Sequence, residues 1–364
     1  MRLAWVELRD FRNHVETRLD DLPDALITVA GANGEGKTNL LEGIAFLFFL
    51  QSPRTSSTEP VVRREADGPA YARGEVVTEE AGKVLIEVEI PGRGANRVQV
   101  NRSTVRRKRD LRRQVRAVYF GPDDLVIVIG DPSKRRDFLD EAIRSLWPLK
   151  ESAMTAYERT LRQRNRLLKE WEGRGAPTGL GAWDAELVKN GSALVRLRAE
   201  AATRLSPSAE QEYRNLAGYG LACDYAPNVT GEPLEEAFER RLAERRSDEL
   251  IRRTTLVGPH RDDLTLAVRD LGARSFASHG EAWAAALCLR LGLANAVADE
   301  VRERPVLLLD DPFSALDPRR QRLVGERLAD HGQVFVSVAD DAHVPEPSSI
   351  VLDVSAGTVA ARGA

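Results

Sequence analysis

The chain has little of three things that would indicate other classes of protein: cysteine, long apolar runs and lysine. Its 364 residues include two cysteines, Cys223 and Cys288, and neither has a Cys-x-x-Cys spacing or a histidine cluster beside it. A disulfide framework and a zinc site of the usual spacing are therefore excluded. The most apolar run, Ile44–Leu50, is too short for a membrane span, which needs about 18 residues, so we expect a soluble protein without a membrane partner.

The beginning of the chain, MRLAWVELRDF, lacks the charged, apolar and cleavage regions of a signal peptide, and we expect a cytoplasmic protein. Lysine is scarce, because only 7 of the 53 basic residues are lysine. An arginine excess of this kind also arises from codon bias, so a single arginine is weak evidence for contact with nucleic acid. The few lysines, Lys37 above all, carry more information.

The order of patterns predicts an α/β protein with an inserted helical lobe. Strand-like runs and an antiparallel meander fill the first part, long amphipathic patterns follow, and short apolar strands resume near residue 253. We expect a P-loop head with a mixed, mainly parallel core sheet and an antiparallel meander. The predicted division is residues 1–132 for the first part of the head, 133–252 for the helical lobe and 253–364 for the second part.

A phosphate-binding loop is the strongest motif. The segment GANGEGKT matches G-x-x-x-x-G-K-[ST] between an apolar strand and a helix, which is the context this motif requires. Backbone amides would cradle the phosphates, Lys37 would reach the terminal phosphate oxygens, and the Thr38 hydroxyl would bind Mg²⁺. The predicted nucleotide ligands are Gly31, Ala32, Asn33, Gly34, Glu35, Gly36, Lys37 and Thr38.

A second candidate site is the pair of carboxylates that ends the run PVLLLDD. Four apolar residues before Asp310 and Asp311 are typical of a buried parallel strand, whose carboxyl end would bring both side chains beside the phosphate loop. Asp310 would hold Mg²⁺ through its waters, and Asp311 would orient or deprotonate the attacking water. A strand that simply meets a turn is the plainer alternative.

The segment SFASHGEAW raises the question of a second anion site. Ser278 and Gly280 at a helix start would offer a hydroxyl and free amides to a phosphate, and in a symmetric dimer they would act on the nucleotide of the other copy. Ser278 followed three residues later by Glu281 is also an ordinary capping box. The two interpretations are compatible.

Taken together, these blocks resemble the ABC class of nucleotide-binding heads and, within it, the RecF family of bacterial recombination mediators. The resemblance is carried, in order, by LRDFRN, GANGEGKTNLLEGI, FGPDDLVIVIGDPSKRRDFLD, GPHRDDL, FASHGE and LLLDDPFSALD. It implies a head with a helical insertion, an ATP-dependent homodimer, slow DNA-stimulated ATP hydrolysis with Mg²⁺, and binding to double-stranded or gapped DNA. It also implies loading of recombinase at gapped or stalled replication sites together with RecO- and RecR-type partners.

The resemblance also implies residue roles. Gly31–Thr38 would be the Walker A loop, Asp310 and Asp311 the Walker B pair, Ser278 to Glu281 the signature acting on the partner's nucleotide, and Asp317 the D-loop aspartate. Arg12 stands where related heads have a basic residue near the phosphates.

This chain departs from the family pattern after the signature serine. His279-Gly280-Glu281 replaces the usual Gln-Gly-Gln, and a carboxylate would repel a γ-phosphate unless it is turned away or bound to its own helix start. There is no clear Q-loop glutamine. Ser337 to Asp340 stand where transport ATPases carry a switch histidine.

One segment is strongly basic. Residues 101–116 carry eight basic side chains and one acidic one without aromatics, which suits contact with DNA phosphates, although a merely solvated loop has the same composition. The helical stretch RTLRQRNRLLK is a second candidate. The DNA-binding candidates are Arg106, Arg107, Lys108, Arg109, Arg112 and Arg113.

Two other functions compete with an ATP-switched DNA clamp. An ATPase of the structural maintenance of chromosomes (SMC) type would need long heptad repeats, and Gly and Pro residues interrupt the helical patterns here. A small-molecule phosphotransferase would leave the anion site at Ser278 unexplained. The short side chain of Asp311, where fast ABC hydrolases have glutamate, predicts slow turnover.

Overall fold

The protein is described by a computed structural model that covers residues 1–173 and 175–363. The strands are β1 Arg2–Phe11, β2 His14–Leu19, β3 Leu26–Ala30, β4 Ala70–Thr78, β5 Gly82–Ile90, β6 Arg97–Val100, β7 Ser103–Thr104, β8 Ala117–Phe120, β9 Leu221–Ala226, β10 Asp263–Val268, β11 Leu271–Gly272, β12 Val306–Leu309, β13 Val334–Val338, β14 Ile350–Ser355 and β15 Thr358–Ala361. The α-helices are α1 Lys37–Phe49, α2 Lys108–Arg112, α3 Leu125–Ile129, α4 Pro132–Leu146, α5 Glu151–Glu170, α6 Leu180–Ala217, α7 Leu234–Glu244, α8 Arg246–Arg252, α9 Ala273–Phe276, α10 His279–Val301 and α11 Pro318–Ala329.

The central sheet has the order β15-β14-β3-β13-β12-β8. Its pairs are parallel from β8 to β14, and β15 joins as an antiparallel edge strand. Side chains alternate across this sheet, so that Leu307 and Leu309 of β12 enter one core while Val306 and Leu308 enter the other. Both faces are therefore covered, which is why the parallel strands read as unbroken apolar runs.

The two faces are covered by different layers. One face packs on α1 and on the antiparallel sheet β2-β1-β4-β5-β6-β7, which is the predicted meander. The other face packs on α10 and the helices that follow α3. The predicted α/β head with a mixed core sheet, a meander and a helical insertion is confirmed in architecture, while the domain boundaries remain predictions.

The helical region differs from the sequence prediction in two ways. The strand β9 lies inside the segment expected to be helical and pairs with β10 in a small antiparallel sheet. The long helix α6 also continues through Pro207, where a break was expected. It packs on α10 so closely that a Cβ on Gly292 would lie 2.7 Å from the Cβ of Ala209. This packing offsets the hydrogen bond that proline removes.

The helix α10 is the one described helix long and apolar enough to cross a bilayer by length and composition. In this fold 83% of its most apolar window is buried within the protein, on the helical side of the central sheet. Its all-round apolar surface is therefore explained by its place in the core.

Candidate nucleotide site

The phosphate-binding loop joins β3 to α1, as predicted. Two of its glycines are required by close packing: a Cβ on Gly36 would lie 2.6 Å from the Asn13 side chain, and a Cβ on Gly31 would lie 2.4 Å from the Val354 carbonyl oxygen. Gly36 also has a φ of 120°, which L side chains rarely adopt. The loop is thus fixed between the β1–β2 turn and the end of β14.

The tip of the loop is exposed, and its lysine is buried. Ala32, Asn33 and Gly34 face solvent, whereas Lys37 is 7% exposed and donates hydrogen bonds to the carbonyls of Gly31 at 2.7 Å and Ala32 at 2.8 Å. Burial lowers the pKa of Lys37, and the nearby carboxylates partly offset that shift.

Glu35 is held by two distant parts of the chain. Its carbonyl accepts hydrogen bonds from Asn13 Nδ2 and from the Gly357 amide, both at 2.9 Å, and its carboxylate accepts one from the Ala356 amide. Asn13 also accepts a hydrogen bond from Asn39 Nδ2 at 2.8 Å. Sequence reasoning did not single out Asn13, although it is the last residue of the LRDFRN block.

Arg12 lies in the same turn but its guanidinium binds elsewhere. Its Nε and Nη2 donate to the carboxylate of Glu42 in α1, at 2.9 and 2.7 Å, and its Nη1 donates to the Pro60 carbonyl at 2.7 Å. Glu42 is fully buried, so this pair ties the β1–β2 turn to α1. A role for Arg12 near the phosphates remains a prediction.

The strand β12 brings the carboxylate of Asp310 to the loop. Thr38 Oγ1 donates a hydrogen bond to Asp310 Oδ1 at 2.8 Å, although 272 residues separate them. Ser337 Oγ donates to the same oxygen at 2.8 Å. Asp310 is 3% exposed and is oriented from two sides.

Asp311 is placed differently. Its φ of 52° turns the chain sharply after β12, and its amide donates to Ser337 Oγ at 2.8 Å. Burial raises the pKa of Asp311, repulsion from Asp310 raises it further, and Lys37 and His343 lower it. The sequence placed Ser337 at the switch position but did not predict its hydrogen bonds to Asp310 and Asp311, and it did not single out His343, because these contacts follow from how β13 lies beside β12.

The proposed signature begins α10. Ser278 is the N-cap residue, and it forms the complete capping box with Glu281 that the plainer interpretation predicted. The Ser278 side chain is exposed. A Cβ on Gly280 would lie 3.1 Å from the Ala315 carbonyl oxygen, so a larger residue would crowd the segment that leads to Asp317.

Asp317 caps the helix α11. Its Oδ1 accepts a hydrogen bond from the Arg320 amide at 3.0 Å. The Trp283 indole of α10 donates to the Pro312 carbonyl at 2.8 Å, which ties α10 to the turn after β12.

The six DNA-binding candidates of the basic segment differ in exposure. Arg106, Arg107, Lys108 and Arg113 are exposed, whereas Arg109 and Arg112 are half-buried. Arg112 binds Glu151 at 3.2 Å, and Arg109 Nε is buried without a hydrogen-bond partner among the described residues. A cavity of about 910 Å³ connects this segment to the nucleotide site, since Arg107, Lys108, Thr38 and Asp310 all line it.

No described group of three or more His, Cys, Asp and Glu side chains forms a metal cluster. A hydroxyl and one carboxylate, as in the Thr38–Asp310 pair, nevertheless fit Mg²⁺, because this ion usually takes one or two protein oxygens and completes its shell with phosphates and water.

Comparisons with known proteins identify the family of this chain. Residues 2–355 match the family described as the RecF/RecN/SMC N terminal domain. The chain is 40% identical to the DNA replication and repair protein RecF of Cutibacterium acnes over 95% of this chain and 94% of that protein, and 40% identical to that of Streptomyces avermitilis over 95% of both.

Solved structures give the same result. A structure of the recombination mediator protein RecF with ATPrS, from the RecFOR pathway, matches 100% of this chain and 98% of its own with a TM-score of 0.88 and 26% identity. An Smc head domain from Pyrococcus furiosus, with a TM-score of 0.59 and 14% identity over 99% of this chain and 95% of its own, shares the fold. The expected resemblance is confirmed, and the chain belongs to the RecF family of DNA replication and repair proteins.

Proposed function

We propose that this protein is an ATP-dependent DNA-binding recombination mediator that dimerises on ATP and hydrolyses it slowly. The observation that carries the proposal is the junction of Thr38 and Asp310 at 2.8 Å, with the loop lysine beside it. This is the arrangement that holds a triphosphate and its cation in P-loop ATPases. The ATP and ATPrS complexes of related RecF proteins support ATP as the nucleotide.

The nucleotide would bind with its phosphates over Gly31–Thr38. Thr38 and Asp310 would hold Mg²⁺, which neutralises charge on the phosphates when it is bound. Ser337 orients Asp310 by a direct hydrogen bond, so the carboxylate is already in position before the nucleotide arrives.

Asp311 is the candidate general base. Its raised pKa makes it a better proton acceptor than an exposed aspartate, and a shorter side chain than glutamate holds the attacking water less directly. Slow hydrolysis suits an ATPase that uses ATP as a switch. Stimulation of that activity by DNA belongs to the same proposal.

Dimerisation follows from the exposed Ser278. The capping box occupies the amides of Ser278 and Glu281, which leaves those of His279 and Gly280 at the positive end of the dipole of a 23-residue helix, and the serine lies beside them at the surface. In a two-fold dimer each Ser278 and Gly280 would contact the γ-phosphate bound by the other subunit, with Asp317 nearby.

DNA would bind through the exposed part of the basic segment. The cavity between this segment and Asp310 gives a physical route by which DNA contact would influence the nucleotide site. The pathway named for the related structures supports RecO- and RecR-type partners and a role in loading recombinase at gapped DNA. A cytoplasmic location is part of the proposal.

An SMC-type chromosome ATPase is the alternative. The longest described helix, α6, has 38 residues and lies against α10 in the protein core, so it does not continue into a coiled coil. This observation favours the mediator function.

The test is light scattering of the wild type and of Ser278→Arg with and without ATP. We expect ATP to double the mass of the wild type and to leave Ser278→Arg monomeric, because the arginine would fill the shared site. Ser247→Arg, which changes an exposed serine of α8, is the matched control and should dimerise. ATP-dependent dimerisation of Ser278→Arg would contradict the proposal.

A further inference from the structure

The carboxylate of Glu281 lies in the first turn of α10, three residues from the exposed Ser278. If α10 closes on a triphosphate, this carboxylate is the nearest negative charge that the helix itself carries. Glu281 has a pKa lowered to about 2, first by the Ser278 amide and then by the Tyr219 hydroxyl, so it stays ionised at any working pH. Protonation cannot remove the repulsion, and only the position of the carboxylate can limit it.

The structure holds that carboxylate from two sides. On the helix side, Oε2 accepts hydrogen bonds from the Ser278 amide at 2.9 Å and from the Ser278 hydroxyl at 2.8 Å. On the other side, Oε1 accepts a hydrogen bond from the Tyr219 hydroxyl at 2.7 Å and lies 3.2 Å from Arg269 Nη2. Both oxygens are therefore occupied, and the side chain is only 15% exposed.

Tyr219 is itself held in place. It follows the C-terminal end of α6, where Gly218 adopts a left-handed conformation. The guanidinium carbon of Arg269 lies 3.9 Å from the centre of the Tyr219 ring. The Tyr213 ring packs edge-on against the Tyr219 ring, with the two ring centres 5.9 Å apart. Such contacts fix an aromatic ring that is only partly buried.

The Tyr219 hydroxyl also contacts α11, the helix that Asp317 caps. Arg320 Nη2 lies 3.4 Å from the Tyr219 oxygen, and Arg320 Nε lies 3.4 Å from Asp317. Tyr219 thus stands between the signature glutamate and the aspartate that caps α11. No sequence motif pointed to it, because it comes from the loop between α6 and β9.

We propose that Tyr219 is a positioning residue for ATP-driven dimerisation, which with Arg269 binds Oε1 of Glu281 and so keeps the charge of that carboxylate paired when the helix start meets the partner's triphosphate. The inference rests on the proposed function, since it assumes that Ser278 meets the nucleotide of a second copy.

The test is a double-mutant cycle of Tyr219→Phe and Glu281→Gln, read as the ATP concentration that gives half-maximal dimerisation in sedimentation or light scattering. Tyr219→Phe removes a charge-assisted hydrogen bond and should raise that concentration about tenfold. Glu281→Gln removes the charge and should lower it. In the Glu281→Gln background, Tyr219→Phe should raise the ATP concentration for half-maximal dimerisation by less than about twofold, because the side chain at position 281 is then uncharged.

The outcomes separate a positioning role from a structural one. If Tyr219→Phe raises the ATP concentration for half-maximal dimerisation by the same factor in the wild-type and Glu281→Gln backgrounds, Tyr219 only supports the fold. The proposal is then overturned. Wild-type behaviour of Tyr219→Phe overturns it as well. Thermal unfolding and binding of ATP to the monomer should change little in Tyr219→Phe, since the phosphate loop is untouched. Tyr71→Phe, on β4, is the matched control and should match the wild type.

Failure of the inference can be told from failure of the function. Ser278→Arg measured in the same assay reports on the shared site itself. Suppose that Ser278→Arg abolishes dimerisation while Tyr219→Phe and Glu281→Gln show no coupling. The shared site is then supported, and the proposed role of Tyr219 is wrong.

Discussion

The hydroxyl of Ser337 joins the Asp310 carboxylate to the Asp311 backbone: it donates to Asp310 Oδ1 and accepts from the Asp311 amide, both at 2.8 Å. One buried serine on β13 therefore fixes the side chain of one aspartate and the backbone of the next. Ser337 belongs to the segment 337–340, which the sequence placed at the position of the switch histidine of transport ATPases.

Replacing Ser337 with alanine should slow ATP hydrolysis about 10- to 100-fold, because Asp310 loses one of its two orienting hydrogen bonds. ATP binding should weaken less, since the phosphate loop is intact. Steady-state hydrolysis and equilibrium nucleotide binding measure the two effects. Ser355→Ala, at the exposed end of β14, serves as the control, and wild-type hydrolysis by Ser337→Ala would contradict the assigned role.

The exposed arginines of the basic segment should govern the salt dependence of DNA binding. Changing Arg106, Arg107 and Arg113 together to alanine should lower the slope of log affinity against log salt by about 0.9 for each DNA phosphate that these arginines neutralise in the wild type. Anisotropy of labelled duplex DNA with ATP, at several salt concentrations, measures the slope.

The competing DNA surface lies on α5, where Arg159, Arg162 and Arg166 are exposed. The equivalent triple change there tests it directly. If only the α5 variant lowers the slope, the DNA interface lies on the helical lobe and the assignment to the basic segment is wrong.

The buried pair of Arg290 with Asp124 should stabilise α10 strongly. Arg290 donates to both oxygens of Asp124, at 2.6 and 3.0 Å, and also to Glu141 at 2.6 Å. Arg290→Met leaves those carboxylates unpaired and should lower the free energy of unfolding by about 3–5 kcal/mol. Arg274→Met, which breaks the exposed pair with Asp131, should cost less than about 1 kcal/mol. Urea unfolding measures both changes. Equal losses of unfolding free energy in Arg290→Met and Arg274→Met would contradict the prediction.

Stability should fall in mild acid because burial lowers the pKa of His14, His260 and His331. Burial lowers the pKa of both His260 and His331 to about 4. Between pH 6.5 and 4 the unfolded chain therefore binds protons that the native protein does not, and His260 and His331 should each remove about 1–3 kcal/mol as the pH falls through that window.

The contribution of His331 can be isolated. Its Nε2 is buried without a hydrogen-bond partner among the described residues, so His331→Leu should flatten the pH dependence without breaking a side-chain bond. Urea unfolding at several pH values measures the change. An unchanged pH dependence in His331→Leu would show that other groups cause the acid sensitivity.

Much of the fold could be predicted because its signals are local. The phosphate loop, the apolar strand before Asp310 and the capping box at Ser278 each depend on residues within about ten positions. The strand β9 and the continuation of α6 through Pro207 could not be predicted. Pairing with β10 and packing against α10 decided them, and both partners are distant in the sequence.

By itself the sequence determined membership of the RecF family and the position of the G-x-x-x-x-G-K-[ST] loop, and it predicted the pair of carboxylates at Asp310 and Asp311, since these follow from short segments whose residue types the chemistry restricts. Only the tertiary structure decided that Ser337 orients Asp310, that Arg12 pairs with Glu42 and that Tyr219 holds Glu281. Each of these contacts joins side chains at least 27 positions apart. No local pattern encodes such contacts, because they exist only after the strands and helices have packed.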